Sequence, residues 1–144
     1  MSRADFAFHH QFRVRWSETD AQGIVFNARY LDYADIAITE YWRALNFAEK
    51  YPDTAVHTHV KKATILWSAP IRPDEIIEVM VRTPHVGRTS FTQIVEIHGT
   101  ATQQDDLRAE IEMVYVQVDL ATHRPAPLPE WLGAEFAAFD AQAD

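Results

Sequence analysis

Residues Trp16 to Phe47, WSETDAQGIVFNARYLDYADIAITEYWRALNF, decide the fold. The stretch opens on a cluster of acids and a hydroxyl, Glu18, Thr19 and Asp20, and soon reaches Gly23. It then takes a helical pattern of about five turns. Apolar or small residues recur at Tyr30, Ala34, Ala37 or Ile38, Tyr41 and Leu45, with a second row at Leu31, Ile38, Trp42 and Leu45. Steps of three and four put this stripe on one side of a helix, with Asp32, Asp35, Glu40 and Arg43 beside or opposite it. Ala34 and Ala37 allow such a helix to lie close against a neighbouring surface. Neither Gly nor Pro interrupts residues 24–51, so the pattern predicts a helix entered just after Gly23 and stopped by Pro52.

Outward from this helix the chain reads as strands. Phe8, His10, Phe12, Val14 and Trp16 alternate with His9, Gln11, Arg13 and Arg15, which predicts a strand over 8–16. After the polar linker AEKYPDTA at 48–55, period two dominates for about seventy residues. Strands are expected at 56–68, with Ala63, Ile65 and Trp67 on one face, and at 76–84, with Ile77, Val79 and Val81 on one face. Pro70 and Pro73 bracket the turn between them. A hairpin connection follows at 85–88, where Gly87 is free to take a positive φ. Strands at 89–99 and 107–120 flank a polar turn, Thr102 to Asp106. The last strand changes parity: Ala109, Ile111 and Met113 alternate with Arg108, Glu110 and Glu112, then Val114, Val116 and Val118 take the opposite face. Either both faces of its second half are buried or a β-bulge near Met113 resets the register. Pro125, Pro127 and Pro129 stiffen a connector to a short amphipathic helix from Glu130 to about Phe139.

One strand, one long helix and four hairpin-linked strands make an α+β protein with a mainly antiparallel sheet. The simplest arrangement is a curved five-stranded sheet wrapped around the long central helix, in one domain over 1–144. A single helix covers one face, so the remaining face or edge needs a partner. Pairing with a second copy predicts a homodimer, or a tetramer built as a dimer of dimers.

At 144 residues the chain is long enough to bury a core without metals or disulfides. A hydrophobic content of 47% excludes the disordered class. The net charge of −8 argues against a nucleic-acid partner, which would want a basic surface. With no cysteine there is no thiolate metal site and no cysteine nucleophile. The N-terminal MSRADFAFHH lacks the apolar core of a signal peptide, and no apolar run approaches a membrane span. A cytoplasmic protein with no membrane partner is the expectation.

The order strand, D-x-x-G turn, long helix and four strands resembles the hotdog fold. VRWSETDAQGIVFNARYLDYADIA is similar to the acyl-CoA thioesterases of the 4-hydroxybenzoyl-CoA and YbgC-like type. Their signature, an acid-rich T/C-D-x-x-G-V/I-V-aromatic stretch with a Tyr at the helix start, reads here Thr19, Asp20, Gly23, Ile24, Val25, Phe26 and Tyr30. The resemblance runs from about Phe8 to Pro127 and includes GRTSF at Gly87 to Phe91. It departs at Asn27, where many YbgC-like members carry a His. A related branch reads G-H-V-N-N-A-R-Y-L, of which Asn27-Ala28-Arg29-Tyr30-Leu31 is kept.

The resemblance implies hydrolysis of a CoA thioester to free acid and CoA, with no cofactor beyond the CoA carried by the substrate. Such chemistry needs a nucleophile or an activated water, and donors for the developing oxyanion. The resemblance puts the carboxylate at Asp20, as nucleophile or as general base. Backbone amides at the helix entrance are the expected donors, with that of Asn27 foremost; Gly23 permits the tight turn before it. By their size Trp67, Phe91 and Phe26 suit an apolar pocket for an aromatic or medium acyl chain. Tyr30 is a further substrate-binding candidate, and Arg88, Thr89 and Ser90 are expected near the CoA phosphates, with Lys61, Lys62 and Arg72 as further cations.

Blander readings stand beside these. Asp20 before a glycine is by itself a turn residue. Glu18 either tunes Asp20 or is a solvated carboxylate, and Tyr30 and Tyr41 suit core or dimer packing. His57 and His59 share a strand face, yet no third ligand lies in pattern, so an edge or interface role is expected and no metal. Ser17, Ser68 and Ser90 lie in no G-x-S-x-G context. The alternative function is a hotdog module that binds an acyl thioester without turnover. A hydratase-type reading ranks last, because it normally needs a His with an acid in the site.

Overall fold

The computed structural model describes residues 2–143. Its elements run β1 (Phe8–Arg13), α1 (Tyr30–Leu45), α2 (Phe47–Lys50), β2 (Thr58–Trp67), β3 (Ile76–Val86), β4 (Ser90–Gly99), β5 (Leu107–Gln117) and α3 (Leu132–Asp140). The five strands form one antiparallel sheet in the order β1-β3-β4-β5-β2. This is the α+β arrangement expected, with the long helix against the sheet.

Tyr30, Ala34, Ala37, Ile38, Tyr41 and Leu45 are buried on α1, as the spacing predicts. Tyr33, in neither predicted row, is fully buried too. The two alanines are fully buried, in keeping with a close approach of helix to sheet. On the sheet side they meet a core of Ile77, Val79, Val81, Val95, Ile97 and Ile111. α3 closes one end: Phe136 stacks on Tyr41 and meets Trp42 and Phe47 edge-on.

Both ends of the predicted helix move. Residues after Gly23 are extended: Val25 bridges Thr19 and donates its amide to Ile71 O at 2.8 Å. Helical geometry begins as a 3-10 turn at Asn27–Arg29. The helix ends well before Pro52, because Asn46 adopts the left-handed conformation (φ 56) that terminates helices without a proline. The first strand also stops early. At Arg15 the chain turns into a 3-10 segment, Trp16–Glu18, stapled by the Glu18 carboxylate accepting the Arg15 amide, and Trp16 swings out to 72% exposure.

Gly87 does not use a positive φ; Gly23 (φ 74) is the glycine that does. Nor is there a bulge near Met113, where β5 pairs with β4 without a break. In the two ladders of β5 the irregularities fall at Lys61 of β2, across from Val114 and Tyr115, and at Arg108 of β5 itself. Val114 and Val116 are half-buried on the outer face, so the parity change reflects covering on both sides.

That outer face is closed in part by the N-terminal segment. Arg3 reaches Glu78, which also accepts from Gln11 and contacts His9. Deep in the same face His98 Nδ1 accepts the Asp106 amide, leaving Nε2 to donate to Glu96 at 2.9 Å. The pair is sealed at 1% and 0% exposure, so a His–acid couple exists but no substrate reaches it.

Candidate active site

Asp20 to Gly23 form a tight turn closed by Gly23 N donating to Asp20 O and Asp20 N donating to Ile24 O. Gly23 supplies the left-handed residue that this turn needs. The Asp20 carboxylate accepts the Gln22 amide at 2.8 Å, so the turn role read from the local sequence is real. The same residue lines a cleft of about 500 Å³ with Asn27, Tyr30, Trp67 and Pro70. Asp20 therefore does both: it shapes the turn and faces a cavity.

Asn27, at the helix entrance, lines the same cavity. Amides at the first positions of a helix have no partner within it, and among the described residues the Asn27 amide takes no backbone acceptor. Glu18 is not a solvated surface carboxylate. Its carboxylate takes the Tyr33 hydroxyl at 3.0 Å and the Arg15 amide at 2.8 Å. Burial, then that hydrogen bond, pushes the Tyr33 phenol well above its usual range.

Tyr30 meets Trp67 edge-to-face at 6.0 Å. Burial raises its phenol, opposed in part by the Ile71 backbone. Trp67 is 52% exposed, offering an indole face to the cleft mouth. The lining is mostly apolar, with Asp20, Gln22, Asn27 and Ser68 as its polar groups and no cation among them.

Arg88, Thr89 and Ser90 are not brought to this cleft within one chain. They lie beyond Val86, whereas the Asp20 turn is tied to Ile71, before Ile76. The 11 residues of β3 separate the two places by about 33 Å. Arg88 instead borders a second cleft of about 410 Å³ with Leu128 and Glu130. Lys61, Lys62 and Arg72 are exposed, Lys62 pairing with Glu112 at 3.2 Å. His59 stands on the edge strand β2 in contact with His123 at 3.2 Å. Among the described residues no group of three or more His, Asp or Glu could hold a metal ion, and no helix is long and apolar enough to cross a membrane.

One contributor escaped the sequence reading. Arg108, on the outward parity of β5, carries the wall of the cleft opposite Asp20. Its carbonyl accepts the amides of Ser68 and Ala69, and its guanidinium donates to Pro70 O at 2.9 Å.

A family model described as the thioesterase-like superfamily matches residues 14–136. The acyl-CoA thioester hydrolase YbgC of Escherichia coli O6:H1 is 31% identical over 132 residues, 90% of this chain and 95% of that protein. The acyl-CoA thioesterase YbgC of Haemophilus influenzae is 27% identical, covering 92% and 96%. A thioesterase from Thermus thermophilus, solved complexed with coenzyme A and Zn, superposes with a TM-score of 0.79 at 26% identity, covering 95% of this chain and 97% of that one. With a matching helix-on-sheet architecture and a family match over most of its length, this chain belongs to the thioesterase-like superfamily and has the hotdog fold.

Proposed function

We propose that this thioester hydrolase acts on acyl-CoA, releasing the free acid and CoA, with Asp20 as its catalytic carboxylate and the Asn27 amide as oxyanion donor. The observation that carries the reading is Asp20 in the wall of an apolar-lined cleft at the entrance of α1. A thioester is already activated, so one carboxylate and preorganised amides are enough to bring it to hydrolysis. Asp20 acts as nucleophile on the carbonyl carbon or as base on a water. Tyr30 and Trp67 hold the acyl group, and Gly23 sets the turn. The acyl-CoA substrates named for the relatives support the substrate class.

A homodimer would complete the site. β2 is an edge strand, with Val60, Leu66 and Trp67 more than half exposed. Burial, with the charge of Asp35 on one side of α1, pushes Tyr115 of β5 up to about 12. Leu31 shares that side and is 39% exposed. Pairing β2 with its own copy about a two-fold axis covers this edge. Such pairing sets the Trp67 end of one strand beside the Thr58 end of the other. Thr58 pairs with Gln117, whose amide donates to Thr89 O. The partner's Arg88, Thr89 and Ser90 then stand roughly 14 Å away, three strand spacings, within reach of a ligand as long as CoA.

The test is thiol release from a panel of acyl-CoAs by wild type and Asp20→Asn. Loss of at least ~10³-fold in kcat/KM in the variant is expected for removal of a nucleophile or base. The binding-module alternative draws support from the Asp20–Gln22 hydrogen bond, which gives Asp20 a structural task. Tight acyl-CoA binding without thiol release by wild type would establish that alternative.

A further inference from the structure

We propose that Arg108 is the positioning residue for the acyl-binding wall, fixing Trp67–Pro70 against the Asp20 turn and so setting which acyl groups the cleft admits. This inference rests on the thioesterase reading above.

Three features converge on Arg108. First, it is the extra residue of the β5 bulge, since Ile97 pairs with Ala109 and His98 with Leu107. Released from the β4 ladder, its carbonyl accepts Ser68 N at 2.8 Å and Ala69 N at 3.2 Å. Second, the guanidinium spends its donors on the same segment. Nη1 reaches Pro70 O at 2.9 Å and Glu75 Oε2 at 3.0 Å, and Nη2 reaches Glu75 Oε1 at 2.9 Å. Asp106 takes Nε and Nη2 from the other side at 3.1 and 2.8 Å. Third, Gly99 leaves the space for this fork: a side chain there would run into the guanidinium and the Asp106 carboxylate.

The clamp therefore grips the 68–75 segment at its start, through Ser68, Ala69 and Pro70, and at its end, through Glu75. Ile71, held between, accepts the Val25 amide at 2.8 Å. Wall and turn are thus fastened across the cleft by one largely buried cation. Arg108 itself is absent from the lining, and its side chain is only 12% exposed. It acts through the wall. A lysine keeps the charge but offers a single point donor group in place of the planar fork, so it cannot hold both carboxylates and the Pro70 carbonyl together.

The experiment compares wild type, Arg108→Lys and Gly99→Ala, the last displacing the fork without removing it. Hydrolysis of a compact and a bulky acyl-CoA is measured on folded protein, alongside amide hydrogen exchange of Ser68 and Ala69. Both variants are expected to raise KM and to change the ratio of kcat/KM between the two substrates by at least ~10-fold, a span typical of pocket discrimination. The pH profile of kcat keeps its shape, and Ser68 and Ala69 exchange faster while the central β4 amides do not. A ratio within about twofold of wild type, with only a lowered Tm, overturns the proposal and leaves Arg108 a stabilising residue. If wild type releases no thiol from any substrate, the function reading fails. Unchanged exchange at Ser68 and Ala69 would in either case overturn the clamp.

Discussion

The Asp20 carboxylate accepts the backbone amide of Gln22 at 2.8 Å while lining the cleft at the entrance of α1. In the proposed reaction one side chain carries two separable tasks. An asparagine retains a side-chain oxygen for the Gln22 amide but has no charge with which to attack a carbonyl or take a proton. Asp20→Asn is expected to keep the wild-type Tm within a few degrees and lose at least ~10³-fold in kcat/KM. Asp20→Ala is expected to lose activity to the same extent and about 1 kcal/mol of stability as well, the usual net value of a hydrogen bond. Paired urea titrations and thiol-release assays separate the tasks. Equal activity in Asp20→Asn and wild type would reduce the residue to its turn.

The helix and the four-strand run were legible because Ala34, Ala37, Tyr41 and Leu45 keep a strict spacing, and Ile77, Val79 and Val81 a strict alternation. What escaped depended on contacts distant in sequence. Trp16 continues the alternation of β1 in parity, but the Glu18–Arg15 staple turns it into solvent. Asn46 ends α1 through a backbone conformation that competes with an unbroken helical pattern. Arg108 sits among outward charges, and nothing local indicates that a bulge turns it towards Pro70. The D-x-x-G motif located the Asp20 turn, yet it could not say that Arg88 lies at the opposite end of β3.

Gly23 offers a cleaner view of the turn. Its φ of 74 lies in the left-handed region, and a Cβ there would meet no atom within 4 Å. Any cost of Gly23→Ala is therefore conformational and not steric, on the order of 1–2 kcal/mol. Gly23→Asn should cost less, because asparagine visits that region more readily. Chemical denaturation of the two variants checks the order. Wild-type stability in Gly23→Ala would mean that the turn does not need this conformation.

A site shared between two copies, as proposed, predicts complementation. Homodimers of Asp20→Asn lack the carboxylate in both sites, and homodimers of Arg88→Glu lack the phosphate contact in both. A mixed dimer brings the intact Asp20 of one chain to the intact Arg88 of the other in one of its two sites. Unfolding and refolding the two inactive proteins together is expected to restore up to about a quarter of wild-type activity, since half of the dimers are mixed and each has one good site. If each chain used its own Arg88, every site in the mixture would carry one defect and activity would stay at the level of the parents.

Acid stability should report the outer face of the sheet. Burial pushes the Glu78 carboxyl up, but hydrogen bonds from Gln11, His9 and Arg3 outweigh it and hold the group at about 2, against an ordinary 4.5. The folded state therefore binds this proton more weakly than the unfolded chain does. Glu78 contributes stability that is fully present above pH 4.5 and is lost as pH falls towards 2. Glu78→Gln removes the titration, so its stability should fall less steeply than that of wild type across this window, although it starts from a lower value at neutral pH. Urea midpoints at closely spaced pH values measure both slopes. Parallel curves would show that the contacts of Arg3, His9 and Gln11 with Glu78 do not couple to folding, and that the N-terminal segment closes the outer face by apolar packing alone.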